Sequence, residues 1–91
     1  MKFIWNEEKN KKNIQKHCLD FLDASKVFEG NTITLEDNRF DYGEVRLNTF
    51  GLLQDCVVVI THTEDEKHIR IISMRKASVK ERNFYEQEVL L

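Results

Sequence analysis

The sequence predicts an α+β fold, a small antiparallel β-sheet flanked by helices. Segments with helical periodicity occupy both ends of the chain, and apolar runs with strand periodicity fill the middle. Short polar segments join those runs, which favours antiparallel neighbours because parallel strands need long crossover connections. The predicted order of elements is β-α-α-β-β-β-β-α, with the helices gathered on one face of the sheet.

A chain of 91 residues is expected to form one domain, spanning residues 1–91, because so short a chain supports a single core. Hydrophobic residues make up 41% of it, enough to exclude the class of intrinsically disordered proteins. The opening residues, MKFIWNEEKN, lack the apolar run of a signal peptide. The longest apolar run, Cys56–Ile60, is far shorter than a membrane-spanning helix. A cytoplasmic location with no membrane contact is therefore expected.

The first helix is predicted from its N-terminal signals. Phe3–Trp5 has the pattern of a short edge strand, and Asn6 follows it as a helix N-cap. Glu7 and Glu8 then occupy the first turn, where the helix dipole favours acidic side chains. The helix is predicted to run to about His17, with one narrow apolar stripe that leans on its neighbours.

A second helix is predicted to begin with Asp20 as its cap and to end at Gly30, forming a hairpin with the first. Four strands are then predicted, at Thr32–Asp37, Glu44–Phe50, Leu52–His62 and His68–Arg75. The third of these segments is nearly continuously apolar, with VVVI at its centre. It is therefore expected to be a central strand buried on both faces.

The last helix is predicted from a capping box, in which Ser78 and Glu81 satisfy each other's backbone donors. Its apolar residues are Val79, Phe84, Tyr85, Val89 and Leu90. These side chains are expected to pack the helix against the sheet.

The cysteines and histidines are not expected to bind a metal. Cys18 and Cys56 are too few for a disulfide framework or a paired-cysteine zinc site, so they are expected to be reduced and packed as small apolar groups. His62 and His68 flank one hairpin and are expected to be ordinary surface imidazoles. Because no carboxylate–histidine cluster has metal-ligand spacing, no metal and no cofactor are predicted.

Charge is segregated along the chain, although the net charge is only −2. Residues 1–17 carry five lysines against two glutamates, and residues 67–82 carry six lysines or arginines against one glutamate. Residues 18–66 carry eleven acidic residues against three basic ones. If the two basic blocks meet in space, they form one basic site on an acidic body. If they do not meet, they are ordinary solvated faces.

The last predicted strand contains two arginines, Arg70 and Arg75, whose spacing places them on opposite faces of a regular strand. Side chains alternate across a strand, so Arg70, Ile72 and Met74 share one face while Ser73 and Arg75 share the other. An unpaired guanidinium cannot be buried without a large cost. The two arginines can share an open face only if the strand contains a β-bulge.

The open face of the sheet is expected to bind phosphate. If the helices cover the opposite face, Arg70 lies on the open face, and Arg46 can join it there with Glu44. Guanidinium groups offer planar paired donors that match phosphate oxygens. Arg75, at the end of its strand, is expected to reach past the edge. The alternative is that Arg46 forms a structural salt bridge with Glu44 or Asp55.

A polar row on the first helix adds to this basic surface. Lys9, Asn13 and then Lys16 or His17 recur at helical spacing, so they share one face. Such a row is usually only solvated, but asparagine is a poor residue for the middle of a helix. The position of Asn13 between cations indicates a specific partner, and Lys9 and Asn13 are predicted to bind the substrate.

These residues resemble a known family, the BrnT toxins of bacterial type II toxin–antitoxin modules. The family pattern runs F-x-W-D-x-x-K-x-x-x-N-x-x-K-H-G, then F-x-x-A-x-x-V-F, then E-x-R on a strand, and finally R-I-I-S-A-R-K-A followed by an acidic residue and a tyrosine. The matching residues are Phe3, Trp5, Lys9, Asn13, Lys16, His17, Phe21, Ala24, Val27, Phe28, Glu44, Arg46, Arg70–Ser73, Arg75–Ala77, Glu81 and Tyr85. The resemblance covers nearly the whole chain.

The resemblance implies a RelE-like fold and a ribonuclease toxin that inhibits translation. It also implies a BrnA-type antitoxin as the partner, in a complex of two toxin and two antitoxin chains. The ribbon-helix-helix domain of such an antitoxin binds the operon's DNA. RNA is then the substrate, and DNA is reached only indirectly through the antitoxin.

Three positions depart from the family pattern. Asn6 replaces an aspartate and preserves the N-cap. Met74 replaces an alanine on the face predicted for Arg70, where its larger side chain narrows the site. Cys18 replaces a glycine after His17. If that position needs a positive φ, the cysteine is strained by about 1 kcal/mol, or the helix ends differently.

Metal-independent RNA cleavage needs a base for the 2′-hydroxyl, an acid for the leaving 5′-oxygen, and cations for the charge that builds on phosphorus. Arg46 and Arg70 are predicted to hold the phosphate, with Arg75 assisting from the rim. His17 is the predicted acid or base because an imidazole titrates near neutrality, and Lys16 is the second choice.

Three further residues are assigned to the site on the same basis. Glu44 can serve as the base if Arg46 does not occupy it. The resemblance adds Ser73 and Tyr85 to the substrate-binding residues. Tyr85 and Trp5 can stack on bases, although packing in a core or on a helix is the more common role of such side chains.

Two functions from different classes remain open at this point. The first is a metal-independent endoribonuclease toxin. The second is a non-catalytic BrnT-like module that binds an antitoxin and co-represses transcription, which the acidic surface and Cys18 keep open.

Overall fold

The structure is a computed structural model and describes residues 1–89. Its elements are β1 (Lys2–Trp5), α1 (Glu7–His17), a 3-10 helix (Phe21–Asp23), α2 (Ala24–Glu29), β2 (Ile33–Glu36), β3 (Leu47–Leu53), β4 (Cys56–Glu64), β5 (His68–Lys76) and α3 (Val79–Val89). The predicted α+β class is confirmed. Leu90, predicted in the last helix, lies outside the described residues. No helix within residues 1–89 has both the length and the apolar character needed to cross a membrane.

The sheet has the strand order β1-β5-β4-β3-β2 and is mixed. Strands β2 to β5 form an antiparallel meander, but β1 pairs with β5 in parallel, with Trp5 opposite Ile71. The prediction of a purely antiparallel sheet is therefore wrong. Short loops fix the relative direction only of strands that are consecutive in the chain. Strand β1 pairs instead with β5, the last strand, so the loop lengths do not determine its direction.

The first core cluster lies between the sheet and the helices that precede β2. Its buried members are Phe21, Ala24, Val27, Val58, Ile60, Ile69, Ile71 and Met74. They come from the 3-10 helix and α2 on one side, and from alternate positions of β4 and β5 on the other. This face of the sheet is closed to solvent.

The second core cluster lies on the opposite face, beneath α3. Tyr85 of α3 packs with Phe50, Val57 and Val59 of the sheet. The prediction that all helices gather on one face is therefore wrong. The prediction that VVVI is buried on both faces is confirmed, because Val57 to Ile60 are all buried. Burial of both faces requires a helix on each, and α3 supplies the second.

The β3–β4 hairpin turns at Gln54 and Asp55, which have φ values of 50° and 67°. Two consecutive left-handed residues are typical of the tight turn that suits the twist of a hairpin. The predicted strand Leu52–His62 is therefore two strands, with Leu52 at the end of β3. The apolar pattern continues on both sides of this turn, and the turn contains neither glycine nor asparagine, so the sequence does not mark it.

Helix α1 has the predicted N-cap, because the Asn6 side chain accepts a hydrogen bond from the N–H of Lys9 at 3.1 Å. At its other end Cys18 adopts the left-handed conformation, with φ 58°, and its N–H donates to the carbonyl of Ile14 at 2.8 Å. A non-glycine residue in this conformation costs about 1 kcal/mol. Cys18 and Cys56 are both free and exposed, so the expectation that they pack as apolar groups is wrong.

Two buried asparagines anchor α1, and the first binds the segment that follows the helix. The side chain of Asn10 donates to the carboxylate of Asp20 at 3.0 Å and accepts from the N–H of Phe21 at 2.9 Å. Asp20 also caps the 3-10 helix, accepting from the N–H of Leu22 at 3.0 Å. These bonds fix the angle between α1 and the next helix.

The second asparagine, Asn13, binds α1 to the sheet. Its amide donates to the carbonyl of Met74 at 2.8 Å and to that of Leu19 at 3.0 Å, and its oxygen accepts from the N–H of Met74 at 3.1 Å. Strand β1 ends opposite Ile71, so the edge of β5 beyond that point would otherwise have unpaired backbone groups. The partner that the sequence indicates for Asn13 is therefore the backbone of the sheet.

Candidate active site

Strand β5 contains a β-bulge at Ile72. Before the bulge, Ile71 pairs with His62 of β4, and after it Ser73 pairs with Thr61. Ile72 is therefore an extra residue with no opposite number in β4. The extra residue shifts the alternation of side chains along β5 by one position.

This shift places Arg70, Ser73 and Arg75 on the same face of the sheet. Arg70 pairs with Thr63 and Arg75 with Val59, and cross-strand partners point to the same side. That face is opposite the first core cluster and carries the second core cluster beneath α3, so it is not open along its whole length as predicted. The part around Arg70, which lies opposite Thr63 at the other end of β4, remains exposed to solvent, and we call this part the open face. The β-bulge that Arg70 and Arg75 need in order to share a face is therefore present.

The same bulge moves Met74 to the other face. Met74 pairs with Ile60 and is fully buried in the first core cluster. The expectation that Met74 shares the face of Arg70 and narrows the site is therefore wrong. Its larger side chain instead fills volume in the first core cluster.

Glu44 joins the two arginines that the sequence assigns to phosphate. Nη2 of Arg70 donates to both carboxylate oxygens of Glu44, at 2.9 Å each. Nε of Arg46 lies 3.7 Å from Oε1 of the same group. Arg46 and Arg70 thus meet around one carboxylate on the open face. The Arg70 side chain is 40% exposed, so an anion from solvent can reach its guanidinium.

The guanidinium of Arg46 is held mainly by an aromatic ring. Its Cζ lies 3.9 Å from the ring centroid of Tyr42, a cation–π contact. Its Nε is buried and has no hydrogen-bond partner within residues 1–89. An unpaired buried donor is unfavourable, so a hydrogen bond from Nε of Arg46 to an anion would stabilise the complex. Asp55, the other partner considered for Arg46, lies in the turn at the far end of β3.

Arg75 is bound more tightly than Arg70. Nη1 and Nη2 donate to the two carboxylate oxygens of Glu81, at 2.7 and 2.9 Å. Glu81 also accepts from the N–H of Ser78 at 2.9 Å, and the Ser78 hydroxyl accepts from the N–H of Glu81 at 3.2 Å, which confirms the capping box. The hydrogen bond from Arg75 is the main reason why the pKa of Glu81 is lowered to about 2. Arg75 therefore clamps the end of β5 to the start of α3.

The cations of α1 line a cleft beside β5, which we call the α1–β5 cleft. One cavity of about 380 Å³ lies between Lys9 and Arg70, at the end of β1. A second cavity of about 220 Å³ is lined by Lys9, Lys12, Asn13, Lys16, His17, Ile72 and Ser73. Lys9 lines both cavities, so they adjoin. The two basic blocks of the sequence therefore meet along this cleft.

Two aromatic residues considered for base stacking are used in packing. Tyr85 is fully buried in the second core cluster, and its hydroxyl donates to the carbonyl of Asn31 at 2.6 Å. Trp5 packs edge-on against Phe21, and its Nε1 donates to Glu7 at 2.7 Å. The ring of Tyr85 is therefore not available to stack on a base, which corrects its assignment as a substrate contact.

His62 is fully buried, so its description as a surface imidazole is wrong. Its Nε2 is 2.7 Å from the hydroxyl of Thr49, and its ring lies edge-on to Phe28. Burial lowers the pKa of His62, which favours the neutral ring. His68 is partly exposed, with Nδ1 3.4 Å from a carboxylate oxygen of Asp65.

The segment between β2 and β3, residues 37–46, forms a closed loop that sequence analysis treated only as a connection. The N–H of Asp37 donates to the carbonyl of Arg46 at 2.8 Å and closes it. The buried carboxylate of Asp37 accepts two bonds from Arg39, at 2.9 and 3.0 Å. The signal that could have revealed this loop is the interleaving of aromatic and basic residues in NRFDYGEVR.

The arrangement suits an anionic polymer. Guanidinium groups on the open face can take a phosphate in place of Glu44, because carboxylate and phosphate present similar paired oxygens. The lysines of the α1–β5 cleft can neutralise neighbouring phosphates. His17 lines that cleft within reach of solvent and can exchange a proton with a bound group.

A comparison with protein families supports this interpretation. The family model described as "Ribonuclease toxin, BrnT, of type II toxin-antitoxin system" matches residues 5–81, most of the chain. None of the curated protein sequences matches significantly. The matched range runs from the last residue of β1 to the Glu81 that binds Arg75, and it includes Arg46, Arg70 and the basic residues of the α1–β5 cleft. The chain belongs to the BrnT family of ribonuclease toxins of type II toxin–antitoxin systems.

Proposed function

We propose that the chain is a metal-independent endoribonuclease that inhibits translation, with Arg46 and Arg70 as the ligands of the scissile phosphate. The observation that carries the proposal is the meeting of these two arginines around Glu44 on an open sheet face. Guanidinium groups can stabilise the charge that builds on phosphorus, which is the part that a metal ion plays in other nucleases.

Glu44 occupies the phosphate site in the free protein under this proposal. When RNA binds, a phosphate takes over the hydrogen bonds that Arg70 makes to Glu44 at 2.9 Å. The displaced carboxylate is then next to the bound phosphate and free to accept a proton. Glu44 is therefore proposed as a base that becomes available only with substrate present.

His17 is proposed as the second proton-transfer group, with Lys16 as the alternative. Both line the α1–β5 cleft together with Ser73, whose hydroxyl is proposed to contact the ribose or phosphate. Lys9 lines the cavities on both sides and is proposed to bind the phosphate backbone. An acid and a base on opposite sides of the phosphate are what cleavage by the 2′-hydroxyl requires.

Two other residues receive supporting roles. Arg75 is proposed to hold the rim of the site through its clamp on Glu81. Asn13 is proposed to position the cations of α1, because its amide is committed to the backbone of Met74.

We extend the proposal to the partner and the setting of the family. The chain is proposed to have a RelE-like fold and to act in the cytoplasm. A BrnA-type antitoxin with a ribbon-helix-helix domain is proposed to neutralise it in a complex of two toxin and two antitoxin chains. The toxin then reaches operon DNA only through that antitoxin.

One observation favours a second candidate, a non-catalytic module that binds an antitoxin. The guanidinium groups of Arg39, Arg70 and Arg75 are each hydrogen-bonded to a carboxylate. If substrate cannot displace these carboxylates, the site is inactive. The two candidates predict opposite results in the same experiment.

Cleavage of a single-stranded RNA by the purified chain tests the proposal. The wild type is expected to cleave in the presence of a chelator, and Arg70→Ala and Arg46→Ala are expected to lose at least about 100-fold in rate. Arg82→Ala is the matched control, since this exposed arginine lies on α3, where its Nε is 4.0 Å from a carboxylate oxygen of Glu86. Undiminished cleavage by both site variants would refute the assignment.

A growth experiment separates toxin from binding module. The chain is induced alone in bacteria, and growth and bulk protein synthesis are followed. Arrest by the wild type but not by Arg70→Ala, relieved by co-expression of the antitoxin encoded beside it, supports the nuclease. Normal growth of cells that contain the folded wild-type protein supports the module.

A further inference from the structure

The loop of residues 37–46 presents an exposed aromatic ring next to the arginine site. Phe40 is 68% exposed, more than any other aromatic side chain within residues 1–89. Its ring packs against Tyr42 in a T-shaped contact, with centroids 5.8 Å apart. Tyr42 in turn lies under the guanidinium of Arg46 at 3.9 Å. A continuous path of contacts thus joins Phe40 to the arginine proposed to bind phosphate.

The loop is held in place by its own hydrogen bonds. The backbone bond from Asp37 to Arg46 closes it, and the Asp37 carboxylate binds the Arg39 side chain through two atoms. The N–H of Gly43 donates to the side chain of Asp41 at 3.0 Å, in a turn where Gly43 has φ 72°. The hydrogen bond to Arg39 is the main reason why the pKa of Asp37 is lowered. An aromatic ring on such an anchored loop can bind without first paying the cost of ordering the loop.

We propose that Phe40 stacks on a nucleobase of bound single-stranded RNA, next to the phosphate held by Arg46 and Arg70. Tyr42 acts as a positioning residue, which holds both the Arg46 guanidinium and the Phe40 ring. The inference rests on the proposed function and adds to it the part of the substrate that the loop recognises. The substrate class is a strand whose bases are unpaired, because a paired base does not offer its face to a protein ring.

The surroundings of Phe40 favour RNA over a protein partner as its ligand. Interleaved aromatic and cationic side chains are the usual means of binding single strands, since the cations follow the phosphates while the rings stack on bases. Arg46, which has an unused buried donor, is only one aromatic contact away from Phe40 through Tyr42.

Stacking predicts a specific order among substitutions at position 40. Phe40→Ala and Phe40→Leu are both expected to weaken RNA binding about tenfold, and Phe40→Trp is expected to retain it, because a base stacks on a flat ring and not on a branched aliphatic chain. A merely hydrophobic contact would instead leave Phe40→Leu close to wild type. The matched control is Leu22→Ala, because Leu22 is 66% exposed and lies in the 3-10 helix that packs on the first core cluster.

The experiment compares two probes that carry the same charge. One is a fluorescein-labelled RNA about ten nucleotides long with 2′-O-methyl riboses, which cannot be cleaved, and the other is a base-free spacer chain with the same number of phosphates. Fluorescence anisotropy gives the Kd of each probe for each variant. Phe40→Ala is expected to weaken binding of the RNA and to leave the spacer chain unchanged. Tyr42→Ala is expected to weaken both probes because Arg46 loses its support, and Tyr42→Phe is expected to restore both.

Several results would overturn the inference. They are equal losses on both probes for Phe40→Ala, near wild-type RNA binding by Phe40→Leu, or no preference of the wild type for RNA over the spacer chain. Loss of neutralisation by the antitoxin, with RNA binding intact in Phe40→Ala, would assign the ring to the protein partner and also overturn it. A wild type that binds RNA through Phe40 but does not cleave it would contradict the proposed nuclease and leave the stacking intact.

Discussion

The two arginines of β5 both bind carboxylates, but the two ion pairs are built differently. Arg75 uses two nitrogens for the two oxygens of Glu81, and that carboxylate is fixed a third time by the N–H of Ser78. Arg70 uses one nitrogen for both oxygens of Glu44, which precedes β3 in a loop segment. The first pair is local and part of a helix cap, whereas the second spans the open face.

This difference shows that an arginine can release its carboxylate for another anion only if no structural element depends on that carboxylate. Releasing Glu81 would also break the cap of α3, so Arg75 is a structural clamp. Releasing Glu44 disturbs no element, because the loop carries it and solvent reaches it. Arg70 is therefore the arginine that can exchange its carboxylate for a substrate phosphate.

The largest expected effect separates the two arginines by activity. In single-turnover RNA cleavage, Arg70→Ala is expected to lose about 100-fold or more, and Arg75→Ala less than about tenfold, because only the first contacts the phosphate. Rates are compared under conditions in which circular dichroism shows both variants folded. Equal losses in the two variants would mean that the distinction between clamp and ligand does not hold.

The carboxylates are expected to separate in the same way by stability. Glu81→Gln can still cap α3 but loses the charge that Arg75 binds, so its free energy of unfolding in urea is expected to fall by about 1–2 kcal/mol. Glu44→Gln is the matched change on the open face and is expected to stay within about 0.5 kcal/mol of wild type. A larger loss for Glu44→Gln than for Glu81→Gln would reverse the comparison.

The pH dependence of stability tests the Arg75 pair independently. The Arg75 hydrogen bond lowers the pKa of Glu81 from 4.5 to about 2, so the folded protein binds a proton at this site less readily than the unfolded chain. The resulting stabilisation is complete above about pH 4.5 and is lost as the pH falls towards about 2. The difference in unfolding free energy between wild type and Glu81→Gln should shrink over that range. A difference that is independent of pH would show that the pair is not the cause.

The smallest expected effect concerns the exchange at Arg70. Glu44→Gln removes the anion that competes with phosphate, so the 2′-O-methyl RNA is expected to bind about threefold more tightly, an effect typical of one exposed charge pair. Glu36→Gln is the control, because it changes net charge equally from an exposed position on β2. A gain in RNA affinity of the same size in both variants would show that the change in net charge, and not the release of Arg70, causes it.

Local patterns were enough to locate most of the elements of this fold. The N-cap at Asn6 and the capping box at Ser78 depend on residues a few positions apart, and both are present. The parallel pairing of Trp5 with Ile71 and the second helical layer depend on contacts between distant parts of the chain. Periodicity does not encode such contacts, so these two features were predicted wrongly.

The face of the sheet that a site residue occupies was predictable where side chains alternate regularly along the strand, and unpredictable beyond the β-bulge. Parity predicted that Arg70 lies on the face opposite the first core cluster, and its pairing with Thr63 places it there. Arg46 lies in the loop before β3 and meets Arg70 through the carboxylate of Glu44. The side of the sheet occupied by Arg75 depends on the extra residue at Ile72, and isoleucine carries no signal for a bulge. The burial of His62 could have been found, since it continues the alternation of Val58 and Ile60.

The unmatched residue of β5 makes the local backbone conformation as strict a requirement as residue identity at this point. If the strand kept its length but lost the bulge, everything after Ile71 would rotate by half a turn, which would bury the guanidinium of Arg75 in the apolar core and expose Met74 to water. Deletion of the unmatched residue, in contrast, would keep every later pair with β4, so we expect related proteins one residue shorter here to retain the arginine on the same face.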